Sequence, residues 1–152
     1  MYVCKKQKVM NKDWIYVGAF LDDKTRELIL NKYKDFIPEG WKLYADHTTF
    51  AFNNASPLAK VIYEHYKASV GAEVELISVG LGKSDRAVAL ELSKDGFETV
   101  NRVMHITLAV APDAKPVESN NITDWEPIGS NNDVIQARIG VFANGQVNFE
   151  KQ

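Results

Sequence analysis

Two segments of this chain spell one pattern, His47-Thr48-Thr49-Phe50-Ala51-Phe52 and His105-Ile106-Thr107-Leu108-Ala109-Val110, each reading His-x-Thr-apolar-Ala-apolar. Successive side chains of a β-strand point to opposite faces, so each histidine shares a face with the threonine two residues on. By the same alternation Ala51 and Ala109 join that face, small enough to leave room for a ligand. Met104, Ile106, Leu108 and Val110 form the core side of the second segment. Phe50 and Phe52 form that of the first, with Thr48 as its one polar member. A chain carrying this pattern twice must bury one face of two strands and keep the other open around paired imidazoles and hydroxyls.

The surrounding sequence supplies an α+β framework. Trp14 to Leu21 is a nearly continuous apolar run of strand length. Asp22 can then cap a helix whose Thr25, Leu28, Ile29, Lys32, Tyr33 and Phe36 form a stripe, and Pro38-Glu39-Gly40 ends the unit. Trp41 to Phe52 reads as one strand, and Ser56-Pro57 opens a helix with Leu58, Val61, Ile62 and His65 on one face. Val74 to Val79 and Arg86 to Leu92 read as strands flanking a turn at Gly80 to Asp85, and Val103 to Val110 as another strand. Ala111 to Asn132, rich in Pro, Asn, Ser and Asp, reads as a long irregular connection of the kind that carries function. Val134 to Phe142 and Gln146 to Phe149 flank Asn144-Gly145, a pair suited to a type I′ hairpin turn.

With 152 residues, 45% hydrophobic and 25% charged, the chain can bury one core without staples and is expected to be a single domain and a monomer. Residues 1–12, with Lys5, Lys6, Lys8 and Lys12, read as a loose leader or short edge strand. No secretory or membrane-spanning apolar run is present, so the expected location is cytoplasmic. Cys4 is the one cysteine, which leaves no intramolecular disulfide and no cysteine cage for a metal. A net charge of -2 argues against long duplex DNA as partner and leaves small or single-stranded phosphates open.

Two histidines and two threonines can together serve phosphodiester cleavage. The reaction needs a base, an acid and donors for the charged oxygens, and imidazole titrates near neutral pH. His47, Thr49, His105 and Thr107 are therefore the candidate catalytic set, with no metal and no cofactor expected. Which histidine is base and which acid stays open at this level. Lys83 and Lys115 are candidates to reach phosphate, and Tyr16, Trp41, Tyr44 and Trp125 to stack on a base. His65 has no partner at zinc-motif spacing and takes no role.

The paired His-x-Thr motifs on apolar strands resemble the two-histidine (2H) phosphoesterase superfamily, which includes LigT-like RNA phosphodiesterases and the cyclic phosphodiesterase domain of fungal tRNA ligases. Around the second motif, Ala111-Pro112, Lys115-Pro116 and Ser119-Asn120-Asn121 look closest to the tRNA-ligase branch. The resemblance implies a bilobal α+β fold, with two pseudo-symmetric antiparallel sheets around a central cleft and helices outside. It implies hydrolysis of a 2′,3′-cyclic phosphate or a related RNA phosphodiester, as in RNA repair. Two alternatives stand beside it: hydrolysis of cyclic di- or oligonucleotide immune signals, as by phage 2H proteins, and capture of nucleotides or RNA without turnover.

Overall fold

The computed structural model describes residues 14–130 and 132–150. The readings made for Cys4 and the lysine-rich segment 1–12 lie outside those residues. Nine strands and two α-helices follow in chain order: β1 (Trp14–Phe20), α1 (Asp23–Tyr33), β2 (Lys42–Leu43), β3 (His47–Phe52), α2 (Pro57–Lys67), β4 (Glu73–Lys83), β5 (Ala87–Leu92), β6 (His105–Val110), β7 (Asp124–Pro127), β8 (Val134–Ala143) and β9 (Gln146–Asn148). The fold is α+β and dominated by antiparallel sheet.

All nine strands belong to one hydrogen-bonded sheet, ordered β7-β4-β5-β6-β3-β1-β8-β9, with β2 beside β6. Because β4 also pairs with β8, the path β4-β5-β6-β3-β1-β8 returns to its start. The buried core joins Val17, Phe50, Leu76, Leu90, Ile106, Leu108, Ile135 and Val141 of the sheet to Ile29 and Tyr33 of α1 and Ile62, Tyr63 and Tyr66 of α2.

Each helix is capped as its sequence requires. Asp22 accepts from the Thr25 amide at 2.8 Å, and Ser56 accepts from the Ala59 amide at 3.1 Å with Pro57 in the first turn. The buried face of α2 differs from the expected one: Ala59, Ile62, Tyr63 and Tyr66 are inside, whereas Leu58 and Val61 are exposed. Aromatic stacking decides this rotation, with Tyr63 on Trp14 at 4.5 Å and Tyr66 on Phe50 at 4.2 Å between ring centroids. In α1 only Ile29 and Tyr33 are buried; Leu28 faces solvent, as does Phe36 in the 3₁₀ turn Lys34–Phe36 that follows the helix.

Three strand boundaries also depart from the pattern reading. The run Trp41 to Phe52 is broken at Ala45, which takes a left-handed conformation with φ of 59° and separates β2 from β3. Strand β4 runs through Gly80 and Gly82 to Lys83, where a turn was expected. The two glycines mark close approach: a Cβ on Gly80 would lie 2.6 Å from Glu91 Oε1, and one on Gly82 would lie 2.4 Å from the Trp125 ring. That ring belongs to β7, a strand inside the expected irregular connection, which pairs with β4 from Gly80 to Lys83. The same connection holds a 3₁₀ turn at Pro116–Asn121. The β8–β9 hairpin is as expected, with φ of 55° at Asn144 and 78° at Gly145 and Ala143 paired to Gln146.

Candidate active site

Strands β3 and β6 meet at one backbone pair, Thr48 with Ile106. Both side chains are buried, with the Thr48 hydroxyl lacking a hydrogen-bond partner. Extended one residue each way, this antiparallel register sets His47 opposite Thr107 and Thr49 opposite His105. All four therefore occupy the face away from the Thr48–Ile106 core. Diagonal neighbours across such a ladder stand roughly 7–8 Å apart at Cα, and both imidazoles line one cleft.

The repeat extends to the backbone. In the β1–β3 ladder Val17 pairs with Ala51 and Gly18 with Thr49, passing over Phe50. In the β5–β6 ladder Val88 pairs with Ala109 and Ala89 with Thr107, passing over Leu108. Each motif thus carries a β-bulge at the residue after its threonine. The displaced carbonyls are satisfied reciprocally. Thr107 O and Leu108 O accept from the Ala45 and Tyr44 amides at 2.8 Å, from the segment leading into the first motif. Phe50 O accepts from the Val100 amide at 2.8 Å, and Thr49 O from Asn101 Nδ2 at 3.4 Å, from the segment leading into the second.

The bulges correct the expected alternation. Beyond them Ala51 turns into the core, and Ala109, opposite core-packed Val88, is fully buried. Phe52 faces the cleft at 38% exposure, and Val110 packs on the cleft side with Ala87, Ala89, Ala114 and Ile122. The alanines therefore do not make room for a ligand. Instead Phe52 supplies one wall.

A cleft of about 320 Å³ lies over this face and is lined by His47, Thr49, His105 and Thr107 with Tyr16, Phe52, Asp46 and Asn120 among others. Of the residues singled out from sequence, the catalytic four, Tyr16 and Tyr44 come together here. Trp41 does not: it packs, half-buried, between the two apolar clusters. Lys83, at the exposed end of β4 opposite Val88 and Asp124, is not among the lining residues, nor is exposed Lys115, which precedes the lining residues Pro116 and Val117.

The two histidines sit in different surroundings. His47 Nδ1 lies 2.8 Å from Asp46 Oδ1, its Nε2 lies 3.1 Å from Thr49 Oγ1, and its ring is stacked by Tyr16 and Phe20 at 4.9 and 5.3 Å. Burial pushes the Asp46 carboxyl up, but the hydrogen bond and charge of His47, helped by Arg26, hold it below its ordinary value overall. Tyr16 is pushed up to about 12 by burial and by the nearby Asp46 charge. His105 is 9% exposed, and its Nδ1 donates to the Val103 carbonyl at 2.8 Å, which leaves Nε2 with a free lone pair in the neutral ring. Burial lowers the His105 pKa below its ordinary value; the His47 charge acts in the same direction and the Val103 carbonyl against it.

Thr107 Oγ1 shares a hydrogen bond of 2.8 Å with Ser119 Oγ, in the 3₁₀ turn that borders the cleft. That turn is clamped by Arg86, whose Nε reaches Glu118 Oε1 and whose Nη1 reaches Asp113 Oδ2, both at 2.9 Å. Asp46 was the most readable of the site residues that motif reading omitted, since it directly precedes His47. Ser119 and Asn120 entered the sequence reading only through the stretch that resembles the tRNA-ligase branch and were given no role, and Asn101 and Arg86 carried no local signal, because only tertiary contacts give them their places. Among the described residues no three His, Cys, Asp or Glu side chains gather as a metal-ligand set, and no helix is long and apolar enough to cross a membrane.

By sequence, no family model and no curated protein matches the chain. By structure it is similar to a solved fungal RNA kinase, with a TM-score of 0.62 at 12% identity over 94% of this chain. The match covers 47% of that protein, so the chain spans about half its length. The two share a fold.

Proposed function

We propose that the chain is a phosphodiesterase of the two-histidine kind, acting on a 2′,3′-cyclic phosphate or a related RNA phosphodiester, in two pseudo-symmetric halves that each give one His-x-Thr to the cleft. The observation that carries this reading is the Thr48–Ile106 register, which sets both motifs on one face, each histidine opposite the other's threonine. The shared fold of a fungal RNA kinase is in keeping with an RNA substrate.

The unequal surroundings suggest the division of labour. His105, kept neutral by burial and with Nδ1–H committed to Val103, offers Nε2 as the base that takes a proton from water. The water oxygen then bonds to phosphorus as one ribose ester P–O bond breaks, and His47 gives its Nε2 proton to the leaving oxygen. Asp46 holds the His47 ring by Nδ1 and balances its positive charge, as a carboxylate does for a catalytic imidazole elsewhere. Thr49 and Thr107 donate to the non-bridging oxygens. Product is a phosphomonoester, and the two histidines exchange protonation states.

The test is incubation of the purified protein, with EDTA, against a 2′,3′-cyclic nucleotide, a panel of cyclic dinucleotides and short RNAs. Turnover should survive chelation and fall at least ~10²-fold in both His47→Ala and His105→Ala, the usual scale for general acid or base help. Binding without product from any substrate would favour capture, and full activity in either variant would remove that histidine from the mechanism.

A further inference from the structure

A second compartment of about 470 Å³ opens beside the cleft, lined by Asn101, Arg102, His105, Asn120, Asn121 and Trp125 among others. Asn101, His105 and Asn120 line both spaces, so the two meet at His105. From these features we infer that the second compartment seats the nucleotide preceding the one that bears the reacting phosphate, so that the preferred substrate is the end of an RNA strand and not a mononucleotide. The inference rests on the phosphodiesterase reading and deepens it.

The compartment has the parts a nucleotide needs. Trp125 offers a ring held in place on both sides. Its Nε1–H donates to the Ile122 carbonyl at 3.0 Å, and the ring lies over Gly82, where any Cβ would collide with it. The ring stands 6.0 Å from the His105 ring, half-buried and facing the compartment. The base of that preceding nucleotide can stack there while the terminal phosphate reaches His105, and stacking on such a platform tolerates any base. Amide and hydroxyl groups of Asn120, Asn121 and Thr123 line the space without hydrogen-bond partners among the described residues, free to meet base edges and ribose hydroxyls.

Charge orders the path of the strand. Among the described residues lining the two spaces, Arg102 is the one lysine or arginine, exposed on the outer compartment, and it makes no ion pair. The inner cleft carries the Asp46 carboxylate instead. A linear strand that leaves past Arg102 pairs its next phosphate with a guanidinium. A closed cyclic dinucleotide must fold its second phosphate back towards the first, where a carboxylate repels it. The linear end is therefore favoured.

The experiment compares adenosine 2′,3′-cyclic phosphate, the linear dinucleotide ApA ending in a 2′,3′-cyclic phosphate, and cyclic di-AMP, on wild type, Arg102→Ala and Trp125→Leu, with thermal melts to show folding. Wild-type kcat/KM should be ~10-fold or more higher for the linear dinucleotide than for the mononucleotide, the scale of one base stack. Both variants should erase that advantage and leave mononucleotide turnover unchanged. Because Arg102 is exposed, its variant keeps the test open if Trp125→Leu misfolds. Equal wild-type kcat/KM for the two linear substrates, preference for cyclic di-AMP, or variants that slow both linear substrates alike would overturn the subsite. If nothing turns over, the phosphodiesterase reading fails by itself. Calorimetric titration then decides the compartment: tighter dinucleotide binding that both variants abolish supports it, and equal affinities overturn it.

Discussion

Replacing Gly18 by alanine tests the backbone arrangement under the first motif. A Cβ built on Gly18 lies 2.2 Å from Thr48 O and 3.2 Å from the Thr48 carbonyl carbon, contacts to main chain that no side-chain rotation relieves. Strands β1 and β3 must part there by roughly 1 Å, an overpacking that typically costs ~1–3 kcal/mol. Loosened ladder hydrogen bonds near the bulge add ~1 kcal/mol, and the stiffer unfolded chain returns ~0.4–1 kcal/mol. The net expectation is a loss of about 1–3.6 kcal/mol, centred near ~2, a sizeable part of the ~5–15 kcal/mol of an ordinary domain. Urea unfolding followed by circular dichroism should show the midpoint falling with an unchanged slope, and the melting temperature should drop by ~5–10 °C. Gly96→Ala is the comparison: φ is 84° there and nothing lies within 4 Å of the added carbon, so only the left-handed penalty of ~1–2 kcal/mol applies. A Gly18→Ala protein within ~0.5 kcal/mol of wild type, the range of an ordinary surface change, would refute the close β1–β3 approach.

Four further outcomes follow from named contacts. Thr48→Val removes a buried hydroxyl that has no partner, and should raise stability by up to ~1 kcal/mol in the same urea assay. At Asp133, burial raises the carboxyl, but hydrogen bonds from Lys32, Tyr33 and Ser78 bring it below its ordinary value. Its contribution is complete above the unfolded value near 3.8 and is lost as pH falls through the lower folded value, so melts below pH 4 should fall less steeply in Asp133→Asn than in wild type. If His105 is the base, the acidic limb of log(kcat/KM) against pH should lie below 6.5 and vanish with His105→Ala; a limb above 6.5 would contradict the burial effect. Arg86→Ala unties the segment carrying Asp113 and Glu118, and hydrogen exchange should quicken across residues 113–121 while the β5–β6 amides stay protected.

Much of the framework was legible because local chemistry and tertiary packing agree in it. Asp22 and Ser56 are caps by side-chain geometry alone, and Asn144-Gly145 permits the two positive φ angles its hairpin needs. The His-x-Thr faces were legible up to the threonine. Past it the bulges at Phe50 and Leu108 reversed the alternation, and no residue type announces a bulge whose cause is a carbonyl claimed by another segment. Gly80 and Gly82 misled for a related reason: glycine serves both turns and close approach, and only the positions of Glu91 and Trp125 tell which. Helix α2 was rotated because its tyrosines, left out of the expected stripe, are claimed by Trp14 and Phe50. Lys83 and Lys115 suited phosphate by charge alone, and charge carries no information about distance.

The two motifs are alike in backbone and unlike in environment, and the contrast has a physical logic. Matched registers and matched bulges bring both motifs to one cleft in the same way. Acid–base catalysis, however, needs the two rings in opposite protonation states at one pH, which a fully symmetric site cannot favour. The difference enters through the residue before each histidine: Asp46, half-exposed and charged, against Met104, fully buried. A carboxylate at the first position balances an imidazolium. An apolar side chain at the second joins the core that surrounds His105 and leaves its Nδ1 to a backbone carbonyl. On the proposed mechanism the backbone repeat thus sets where the rings stand, and one departure from it at each motif sets what each ring does.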